Sequence, residues 1–368
     1  MSLYCRARLT LVRVHATSTA LAAREPDLLE AARRGDEQAF RRLVGPHRAS
    51  LHAHCYRMLA SLHDAEDALQ DALLRAWRGL PDFDGRSSLR TWLHRIATNA
   101  CLDAIRRRPK RVLPIDYGPP PEAGQEEARE PVRAPVWIEP YPDRELGIED
   151  ARAAPEARYE QREAVELAFI AALQHLPARQ RAVLILRDVL GFSAKEVAVV
   201  LNATVASINS ALGRARRALD ERLPARSQQA TLRLLGDARA RDLVERLANA
   251  FERGDIGAIL ALLAEDATFA MPPYTGWCQG RDAIADSWFM PEGRPGRLRH
   301  VPARANGQLA LGVYSLDTAA RGYVPICLDV FAVDGVEITE VLAFRSLAQF
   351  SRFGLPERIP LEVGAEAG

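Results

Sequence analysis

The sequence has few of the features that mark membrane, secreted or metal-binding proteins. Its five cysteines are odd in number, lie far apart and form no CxxC pair, so neither a disulfide framework nor a zinc site is predicted. His52, His54 and Cys55 stand close together, but their i,i+2 spacing splits the two histidines around a helix. We therefore predict no metal, no other cofactor and no catalytic residue.

Long apolar runs are also absent. No segment reaches the roughly 18 apolar residues that a membrane helix needs. The Arg-rich residues 1–26 lack the continuous apolar segment of a signal peptide. We expect residues 1–26 to be a disordered extension, although a mis-assigned start codon gives the same pattern. Cysteine usage and the missing signal together predict a reducing location, the cytoplasm.

A strong net charge is missing too, but the charge balance changes along the chain. The 368 residues carry a formal charge of +1, and this length suits two or three domains. The number of basic residues (Lys and Arg) compared with acidic residues (Asp and Glu) is 19 to 12 in residues 1–110 and 6 to 12 in residues 111–160. It is 10 to 6 in residues 161–226 and 14 to 18 in residues 227–368. Two basic blocks around an acidic linker favour two nucleic-acid-facing modules, and the acidic tail favours a different partner.

A helix-turn-helix pattern lies in the second basic block, where an all-α domain is predicted over residues 161–226. Ser193 and Glu196 form a capping box that opens the first helix, and Asn202-Ala203 provides the turn. The second helix runs through Arg217 with a polar outer face. Asn and Arg are the residue types that pair with adenine and guanine edges in the major groove. The pattern predicts DNA binding, and a helical bundle with a solvated basic face is the alternative.

The first basic block predicts another all-α domain, over residues 27–110. From Asp64 to Trp77 the apolar residues follow an i, i+3, i+4 series, which leaves an acidic face with one exposed leucine. That face is either solvated surface or a docking site for a partner helix. A later helix ends in a basic cluster near aromatic residues, a combination that suits unpaired bases and phosphates. Its predicted solvent-facing residues are Arg90, His94, Arg95, Thr98 and Asn99.

The phrases HCYRMLASLHDAEDALQDALLRAW and FDGRSSLRTWLHRIATNACLD resemble the second conserved domain of extracytoplasmic-function (ECF) sigma factors of the sigma-70 family. The resemblance implies that the DAEDxxQ helix docks on the clamp helices of the β′ subunit of RNA polymerase. This role falls on Asp67, Gln70, Asp71 and Leu74. It also implies that the following loop and helix hold flipped bases of the melted −10 element, which must be unstacked before they can be bound. This second role falls on Phe83, Arg86, Ser87, Ser88 and Asn99.

The helix-turn-helix segment is similar to the fourth conserved domain of the same family, which reads the −35 element and contacts the β flap. Base contacts are implied for Asn209, Ser210, Gly213 and Arg214. Phosphate contacts are implied for Lys195, Arg216 and Arg217. Gly213 departs from the larger side chain that is common at its position, so the −35 sequence is not predicted. The resemblance leaves open whether an anti-sigma factor exists.

Residues 111–160 are rich in Pro, Glu and Ala and predict an extended, largely unstructured acidic linker. In the family this linker threads the active-site and RNA-exit channels of the polymerase. Trp137 lies in its one apolar island, and burying a Trp stabilises docking by roughly 2–3 kcal/mol. We predict that Trp137 anchors the linker onto the C-terminal domain. The alternative is a stray hydrophobic residue in a solvated segment.

Residues 230–368 predict an α+β domain of helices followed by an antiparallel sheet, with Asp334-Gly335 as a hairpin signal. With the phrase MPPYTGWCQGRDAI, this order resembles the SnoaL-like cone fold. Six side chains either line a cavity in the cone or fill it themselves, and filling is the expected case: Met271, Tyr274, Trp277, Trp288, His300 and Phe344. Phe353 to Pro356 resembles the C-terminal phrase of SnoaL-like sigma factors, in which the tail regulates the sigma core.

The sequence therefore predicts a non-enzymatic sigma factor with two all-α domains and a C-terminal α+β domain that contacts the linker and sigma core. Its predicted partners are core RNA polymerase and promoter DNA, with no membrane. One alternative is a ligand-binding or enzymatic SnoaL-like domain fused to a helix-turn-helix regulator. A second is a helix-turn-helix repressor that needs no polymerase.

Overall fold

The chain forms two compact units in a computed structural model that describes residues 25–120, 131, 136–146, 155–288, 297–345 and 347–361. The first unit takes Met1–Arg111 and Glu145–Ala225, and the second takes Val112–Arg144 and Arg226–Gly368. The extension predicted over residues 1–26 lies outside the described residues, except for Glu25 and Pro26 at the start of the first helix.

The structure divides the predicted linker between the two units. Residues 112–144 belong to the second unit, where Ile138 and Tyr141 are fully buried. Residues from Glu145 to Ala225 belong to the first unit. This differs from the expected extended, largely unstructured connector. The physical reason is that burying the apolar side chains around Trp137 gains about 25 cal/mol per Å² of apolar surface, which a solvated connector forgoes.

The first unit consists of helices, several of which begin at a side-chain cap. Ser61 and Ser88 each accept a hydrogen bond from a backbone N–H three residues later, and Ser193 and Glu196 form the predicted capping box. Before the linker the helices are α1 (Glu25–Arg33), α2 (Glu37–Val44), α3 (Arg48–Leu59), α4 (Leu62–Gly79) and α5 (Leu89–Arg107). A short α6 (Pro114–Tyr117) belongs to the second unit. The first unit continues with α7 (Pro155–Glu163), α8 (Leu167–Gln174), α9 (Ala178–Leu184), a short π-helix (Ile185–Val189), α10 (Ala194–Leu201) and α11 (Val205–Asp220).

The packing of α3, α4 and α5 corrects one expectation. His94 and Thr98 on α5 were expected to face solvent, but both are completely buried. Thr98 Oγ1 lies 2.9 Å from His54 Nε2, and the His94 ring centroid lies 5.1 Å from that of Phe192. The part of α5 that carries His94 and Thr98 is thus covered by α3 and by the segment before α10. Helical periodicity does not reveal that a second surface will be covered, because it reports only the apolar stripe.

Among the described residues, no single helix is long and apolar enough to cross a membrane. One pair of helices passes the length and composition test together, namely α10 and α11, which meet at a bend of 99°. The inner faces of α10 and α11 belong to the buried core of the helix-turn-helix.

The second unit is an α+β domain with a seven-stranded sheet. Its helices are α12 (Gln228–Leu235), α13 (Asp237–Arg253), α14 (Ile256–Leu260) and α15 (Arg281–Trp288). Its strands are β1 (Leu263–Ala270), β2 (Trp277–Gln279), β3 (Leu298–Ala305), β4 (Gln308–Asp317), β5 (Gly322–Asp334), β6 (Glu337–Phe344) and β7 (Ile359–Pro360). The strand order is β2-β1-β6-β5-β4-β3, with β7 paired to β5, and among these described strands only β1 and β6 run parallel.

Different parts of the chain pack on the two faces of this sheet. One face carries Leu311, Phe331 and Val341 and packs in one core with Leu243, Leu247 and other residues of α13. The neighbouring strand residues point to the opposite face. There a Cβ at Gly312 would lie 2.6 Å from Leu355, so the C-terminal phrase Phe353–Pro356 packs directly on the sheet.

This alternation bears on the proposed cavity residues. His300 lies on the α13 side, where its ring stacks on Phe251 at 4.8 Å. Phe344 is buried, but its neighbour Ala343 is the residue that belongs to the α13-side core. Phe344 and His300 therefore lie on opposite faces of the sheet and do not line one cavity. Met271, Tyr274 and Trp277 are half-buried, and the side chain of Trp288 lies outside the described residues.

Candidate nucleic-acid and polymerase interface

The helix-turn-helix presents most of the predicted −35 residues to solvent. Asn202 ends α10 in the left-handed conformation, with φ of 48°, and Thr204 caps α11. On α11, Ile208 and Leu212 are buried. The opposite face leaves Asn209, Ser210, Arg214 and Arg217 exposed, and Lys195 is exposed on α10. This arrangement can place donors and acceptors of α11 against base edges in a groove.

Two predicted residues of this face differ from the others. The guanidinium of Arg216 binds the Asp188 carboxylate with two hydrogen bonds of 2.8 and 2.7 Å. Its charge is therefore partly compensated within the unit, unlike that of exposed Arg214. Gly213 is half-buried, and a Cβ added there would meet nothing within 4 Å. A larger side chain would thus fit at residue 213 without displacing its neighbours.

The four predicted polymerase-binding residues form one stripe on α4, because residues 67, 70, 71 and 74 follow helical spacing. Asp67, Gln70 and Leu74 are exposed, and 52% of the Leu74 surface is accessible. Asp71 is half-buried and lies 2.7 Å from Arg75. Asp67 lies 3.5 Å from Arg108. The stripe ends in an exposed leucine, and surface arginines partly neutralise the two carboxylates that precede it.

The predicted −10 loop contains both exposed and buried residues. Arg86 is exposed and pairs with Asp84, while Ser87 is half-buried. Ser88 caps α5 through the N–H of Thr91. Phe83 is buried, because its ring packs on Trp92 with centroids 5.0 Å apart. Phe83 therefore supports the loop from beneath, and the expectation that it holds a base does not fit this burial.

Between α4 and α5 the surface has a depression of about 330 Å³. Trp92, Ile96 and Gly79 give it apolar walls, and Asn99 is the one predicted −10 residue that lines it. Its remaining lining residues are Arg75, Asp82 and Arg95. Sequence reasoning assigned no base-binding role to these three. One signal was available, since Trp92, Arg95, Ile96 and Asn99 follow i, i+3, i+4, i+7 spacing on one face of α5.

A buried pair of histidines, His54 and His94, lies between α3 and α5 with ring centroids 5.7 Å apart. Burial lowers the pKa of His54 to about 3, with Arg57 adding to the effect, and burial also holds the pKa of His94 well below its ordinary value. Both rings are therefore neutral near pH 7. The Nδ1 atom of His94 lies 2.9 Å from the Arg90 carbonyl, so the donated proton is on that nitrogen.

We expect His54 to make the protein acid-sensitive. Because its folded pKa lies below the unfolded value of 6.5, its neutral form contributes stability above about pH 6.5, which is lost as the pH falls towards 3. Each pH unit below 6.5 lowers the free energy of unfolding by about 1.4 kcal/mol, so roughly 3 kcal/mol is lost by pH 4.5. Urea unfolding of His54→Gln at pH 7 and 4.5 should show a smaller loss than the wild type. Exposed His63→Gln is the control, and equal losses in all three proteins would contradict the assignment.

Arg181 joins the helices on both sides of the linker within the first unit. It is almost completely buried and donates to the carbonyl oxygens of Gln174 and Met58 and to the Gln174 side chain. Burial lowers its pKa to about 10, so it remains charged near pH 7. A buried cation with several acceptors is costly to leave unpaired, and this network fixes α9 against the end of α3.

In the second unit, the described part of the predicted linker before Glu145 is held by polar as well as apolar contacts. Trp137 is buried and pairs in parallel with Val112, and its ring lies 5.6 Å from Tyr117. The N–H of Tyr141 donates to Asn306 Oδ1 at 2.7 Å, and the Asn306 N–H donates to the Tyr141 carbonyl at 2.8 Å. The segment holding the predicted anchor is thus an integral part of this domain.

Two further linker residues reach the sheet turn and the C-terminal phrase. Asp143 accepts a hydrogen bond from the Gly307 N–H at 2.7 Å. The Arg144 guanidinium lies 3.4 Å from the Ser351 carbonyl. It also occupies the space next to Gly354, where a Cβ would clash with it. With φ of 79° at Gly354, the left-handed backbone favours glycine there.

The interior of this domain holds the buried carboxyl group of Asp329. Asp329 is 2% exposed, and burial raises its pKa to about 7, although the Cys327 thiol donates to it at 3.2 Å. His300, on the same face of the sheet, has its pKa lowered to about 4 by burial. Among the residues that the structure describes, no three His, Cys, Asp or Glu side chains converge in a way that would hold a metal ion.

Comparison with known proteins gives three matches to family models. They are Sigma-70 region 2 over residues 43–111, Sigma-70, region 4 over residues 160–219, and the SnoaL-like domain over residues 244–341. The chain is 43% identical over 329 residues to the ECF RNA polymerase sigma factor SigG of Mycobacterium tuberculosis, covering 89% of this chain and 86% of that protein. It is 32% identical over 195 residues to SigM of the same organism, covering 53% and 82%.

A crystal structure of the Mycobacterium tuberculosis extracytoplasmic function sigma factor SigJ has the same fold. Its TM-score is 0.55 at 22% identity, and the match covers 84% of this chain and 98% of that one. The chain therefore belongs to the ECF RNA polymerase sigma factors. It carries a SnoaL-like domain at its C-terminal end, so the predicted family and fold class are confirmed. Proteins of this family are non-enzymatic initiation factors that bind core RNA polymerase and promoter DNA.

Proposed function

We propose that this chain holds a promoter at two points, with the exposed face of α11 on the −35 element and the depression beside α5 on one unpaired base of the −10 element. The observation that carries this proposal is the depression itself. It places apolar walls, an amide and guanidinium groups together at the surface, next to an exposed loop. Apolar walls can pack against a base, and guanidinium groups donate hydrogen bonds to its phosphates.

At the −35 element, Asn209 and Arg214 are the proposed base readers, with Ser210 between them. Exposed Lys195 and Arg217 are the proposed phosphate contacts. Arg216 fits a different role, because its pairing with Asp188 holds α11 against the preceding turn. We therefore propose Arg216 as a residue that positions the recognition helix and contributes less to direct DNA contact.

At the −10 element, Asn99 and Asp82 are the proposed readers of the captured base. A carboxylate only accepts hydrogen bonds at neutral pH, so Asp82 favours a base edge that carries an amino group. Arg95 is the proposed phosphate contact, since no carboxylate among the described residues lies within salt-bridge distance of it. Arg75 is already held by Asp71 and Asp103.

Leu74 is the proposed centre of the contact with the β′ clamp helices. Leu74→Asp should weaken binding to core RNA polymerase about 100-fold, because it removes roughly 1.5–3 kcal/mol of apolar burial and adds a charge to an apolar contact. The measurement is a titration of labelled full-length protein with core enzyme. Leu234→Asp is a matched control, since Leu234 is an exposed leucine in the second unit. Equal weakening by the two variants would contradict the proposed surface.

We further propose that the second unit regulates the sigma core by retaining the linker, and that the protein acts in the cytoplasm together with the polymerase. Contacts of Tyr141, Asp143 and Arg144 with the sheet and the C-terminal phrase support the first part. The β flap is the proposed second polymerase contact, made by the helix-turn-helix domain. Transcript mapping with reconstituted holoenzyme tests the whole function, and specific start sites that depend on this chain are the expected result.

A ligand-binding SnoaL-like domain is the second candidate function. Buried Asp329 and His300 on one face of the sheet are the observations that favour it. Against it, the neighbours of Asp329 in the sheet, Leu311, Phe331 and Ala343, all pack in the hydrophobic core of the domain. Thermal shift of the full chain with a panel of apolar ligands separates the two candidates, and a specific shift that Asp329→Asn abolishes would favour ligand binding.

A further inference from the structure

A side chain from α1 holds the backbone of the predicted −10 loop. Arg33, in the last turn of α1, donates a hydrogen bond to the Phe83 carbonyl oxygen, 50 positions later in the sequence. Among the described residues, no other side chain from outside residues 80–87 hydrogen-bonds to them. The loop also has local hydrogen bonds, such as the one from the Phe83 N–H to the Leu80 carbonyl at 3.1 Å. Arg33 therefore makes the long-range hydrogen bond that ties this loop to the rest of the unit.

The helices that carry Arg33 are packed on the helix that leads into the loop. Asp36 follows α1 closely and caps α2 by accepting hydrogen bonds from two backbone N–H groups. On α2, Phe40 is buried and packs edge-on against Trp77 of α4, with ring centroids 5.0 Å apart. Because α4 ends directly before the loop, the Arg33 guanidinium reaches the loop from a support that is fixed to the same helix.

The carbonyl that Arg33 binds lies next to the depression beside α5. Asp82 directly precedes Phe83, and its side chain forms part of the wall of that depression. The Phe83 ring packs on Trp92, which is another wall residue, with centroids 5.0 Å apart. Fixing the backbone at Phe83 therefore restricts where Asp82 can place its carboxylate. In the proposed function this carboxylate accepts a hydrogen bond from the amino group of the captured base.

Stability alone does not account for the position of the Arg33 side chain. Its Nε atom is buried and has no hydrogen-bond acceptor among the described residues. A buried unpaired donor costs about as much free energy as a hydrogen bond to a charged group contributes. The net gain for the fold is therefore small, and the main consequence of the contact is the position of the loop.

We infer that Arg33 is a positioning residue that fixes Asp82 at the depression and thereby sets a preference for a captured −10 base that carries an amino group. This inference rests on the proposed function of the depression. Arg33 lies before residue 43, where the match to Sigma-70 region 2 begins, so that match does not assign it this role. Without Arg33 the loop carboxylate loses its fixed place, and the amino group of the base loses its acceptor.

The preference can be measured with full-length protein and a single strand that carries the −10 region of a mapped promoter. Each adenine in turn is replaced by purine, and each cytosine by its analogue without the amino group. The discrimination is the ratio of the dissociation constants for analogue and natural strands. The variants are Arg33→Leu, Arg33→Lys and Asp82→Ala. Arg34→Leu is the matched control, because Arg34 is the adjacent arginine, is 70% exposed and lies 3.5 Å from Glu30.

We expect the wild type to bind one analogue strand about 10-fold more weakly than the natural strand, because a hydrogen bond to a base edge is lost. Arg33→Leu and Asp82→Ala should abolish this discrimination, and Arg34→Leu should keep it. Arg33→Lys retains a donor for the Phe83 carbonyl and should keep part of it. Full discrimination in Arg33→Leu, or none in Arg33→Lys, overturns the inference.

Two further measurements separate failure of this inference from failure of the proposed function. Binding of a −35 duplex selected from a randomised pool should be unchanged, which shows that each variant is folded, and Arg33→Gln replaces Arg33→Leu if the latter is not. If Asp82→Ala abolishes discrimination and Arg33→Leu keeps it, the proposed function stands and the role of Arg33 is wrong.

If the wild type discriminates at no position, the proposed role of Asp82 is wrong, and so is the preference assigned to Arg33. Amide hydrogen exchange of residues 80–87 then still decides whether Arg33 holds the loop. Exchange should be faster in Arg33→Leu than in Arg34→Leu, and equal rates would show that the hydrogen bond to Phe83 does not restrain the loop.

Discussion

Replacing Arg95 and Asn99 together with alanine is expected to lower open-complex formation about 100-fold. Both residues line the depression beside α5, and together they supply a phosphate contact and a base-edge contact. Stacking and edge contacts to an unpaired base are worth roughly 1–3 kcal/mol each, and 1.4 kcal/mol is a factor of ten. The loss falls on melting, because the unstacked base must be held in order to offset the cost of extruding it.

The measurement is open-complex formation by holoenzyme on a mapped promoter, followed by binding of the isolated −10 strand. Arg107→Ala is the matched control, since Arg107 is an exposed arginine on the same helix. Binding of the −35 duplex should not change in the double variant. If the double variant opens promoters as well as Arg107→Ala does, the depression is not the base site.

Asn306→Ala is expected to release the linker and to raise transcription several-fold. Asn306 is fully buried, has φ of 54°, and bonds Tyr141 in both directions. Alanine in the left-handed region costs about 1 kcal/mol, and the unpaired Tyr141 N–H costs about 1–3 kcal/mol more. In the wild type, a linker retained in the second unit is withheld from the polymerase channels that family linkers thread. The variant releases the linker, so transcription is expected to rise.

Single-round transcription at saturating core polymerase measures this effect, and thermal unfolding measures the loss of stability. Asp334→Ala is the control, because Asp334 lies in another hairpin turn of the same sheet and is 75% exposed. It should change neither quantity. A destabilised Asn306→Ala protein with wild-type transcription would show that linker retention is structural only.

Local structure was predictable because its causes lie within a few residues. The Ser193–Glu196 capping box formed as predicted, and the turn at Asn202 joins two helices as its sequence indicates. The apolar series of α4 is buried, and it leaves Asp67, Gln70 and Leu74 exposed in one stripe. Local sequence motifs also indicated the protein family, and the family-model matches confirm it.

Burial of individual side chains was not predictable, since it depends on partners far away in sequence. Phe83 was expected to bind a base, but Trp92 covers it, and His94 was expected in solvent, but it packs against Phe192. Arg216 pairs with Asp188, 28 residues earlier, and its phosphate contact stays a prediction. Each of these outcomes is set by how helices pack on each other, which periodicity does not encode.

The sequence by itself determined the helices, their caps, the helix-turn-helix and the family, because capping, helical spacing and motif residues act locally. Only the tertiary structure decided that a depression forms between α4 and α5, that Arg33 meets the Phe83 carbonyl, and that residues 112–144 belong with the SnoaL-like domain. These features join residues that are remote in sequence. Burial and hydrogen bonding between such residues have their energies set by the folded chain as a whole.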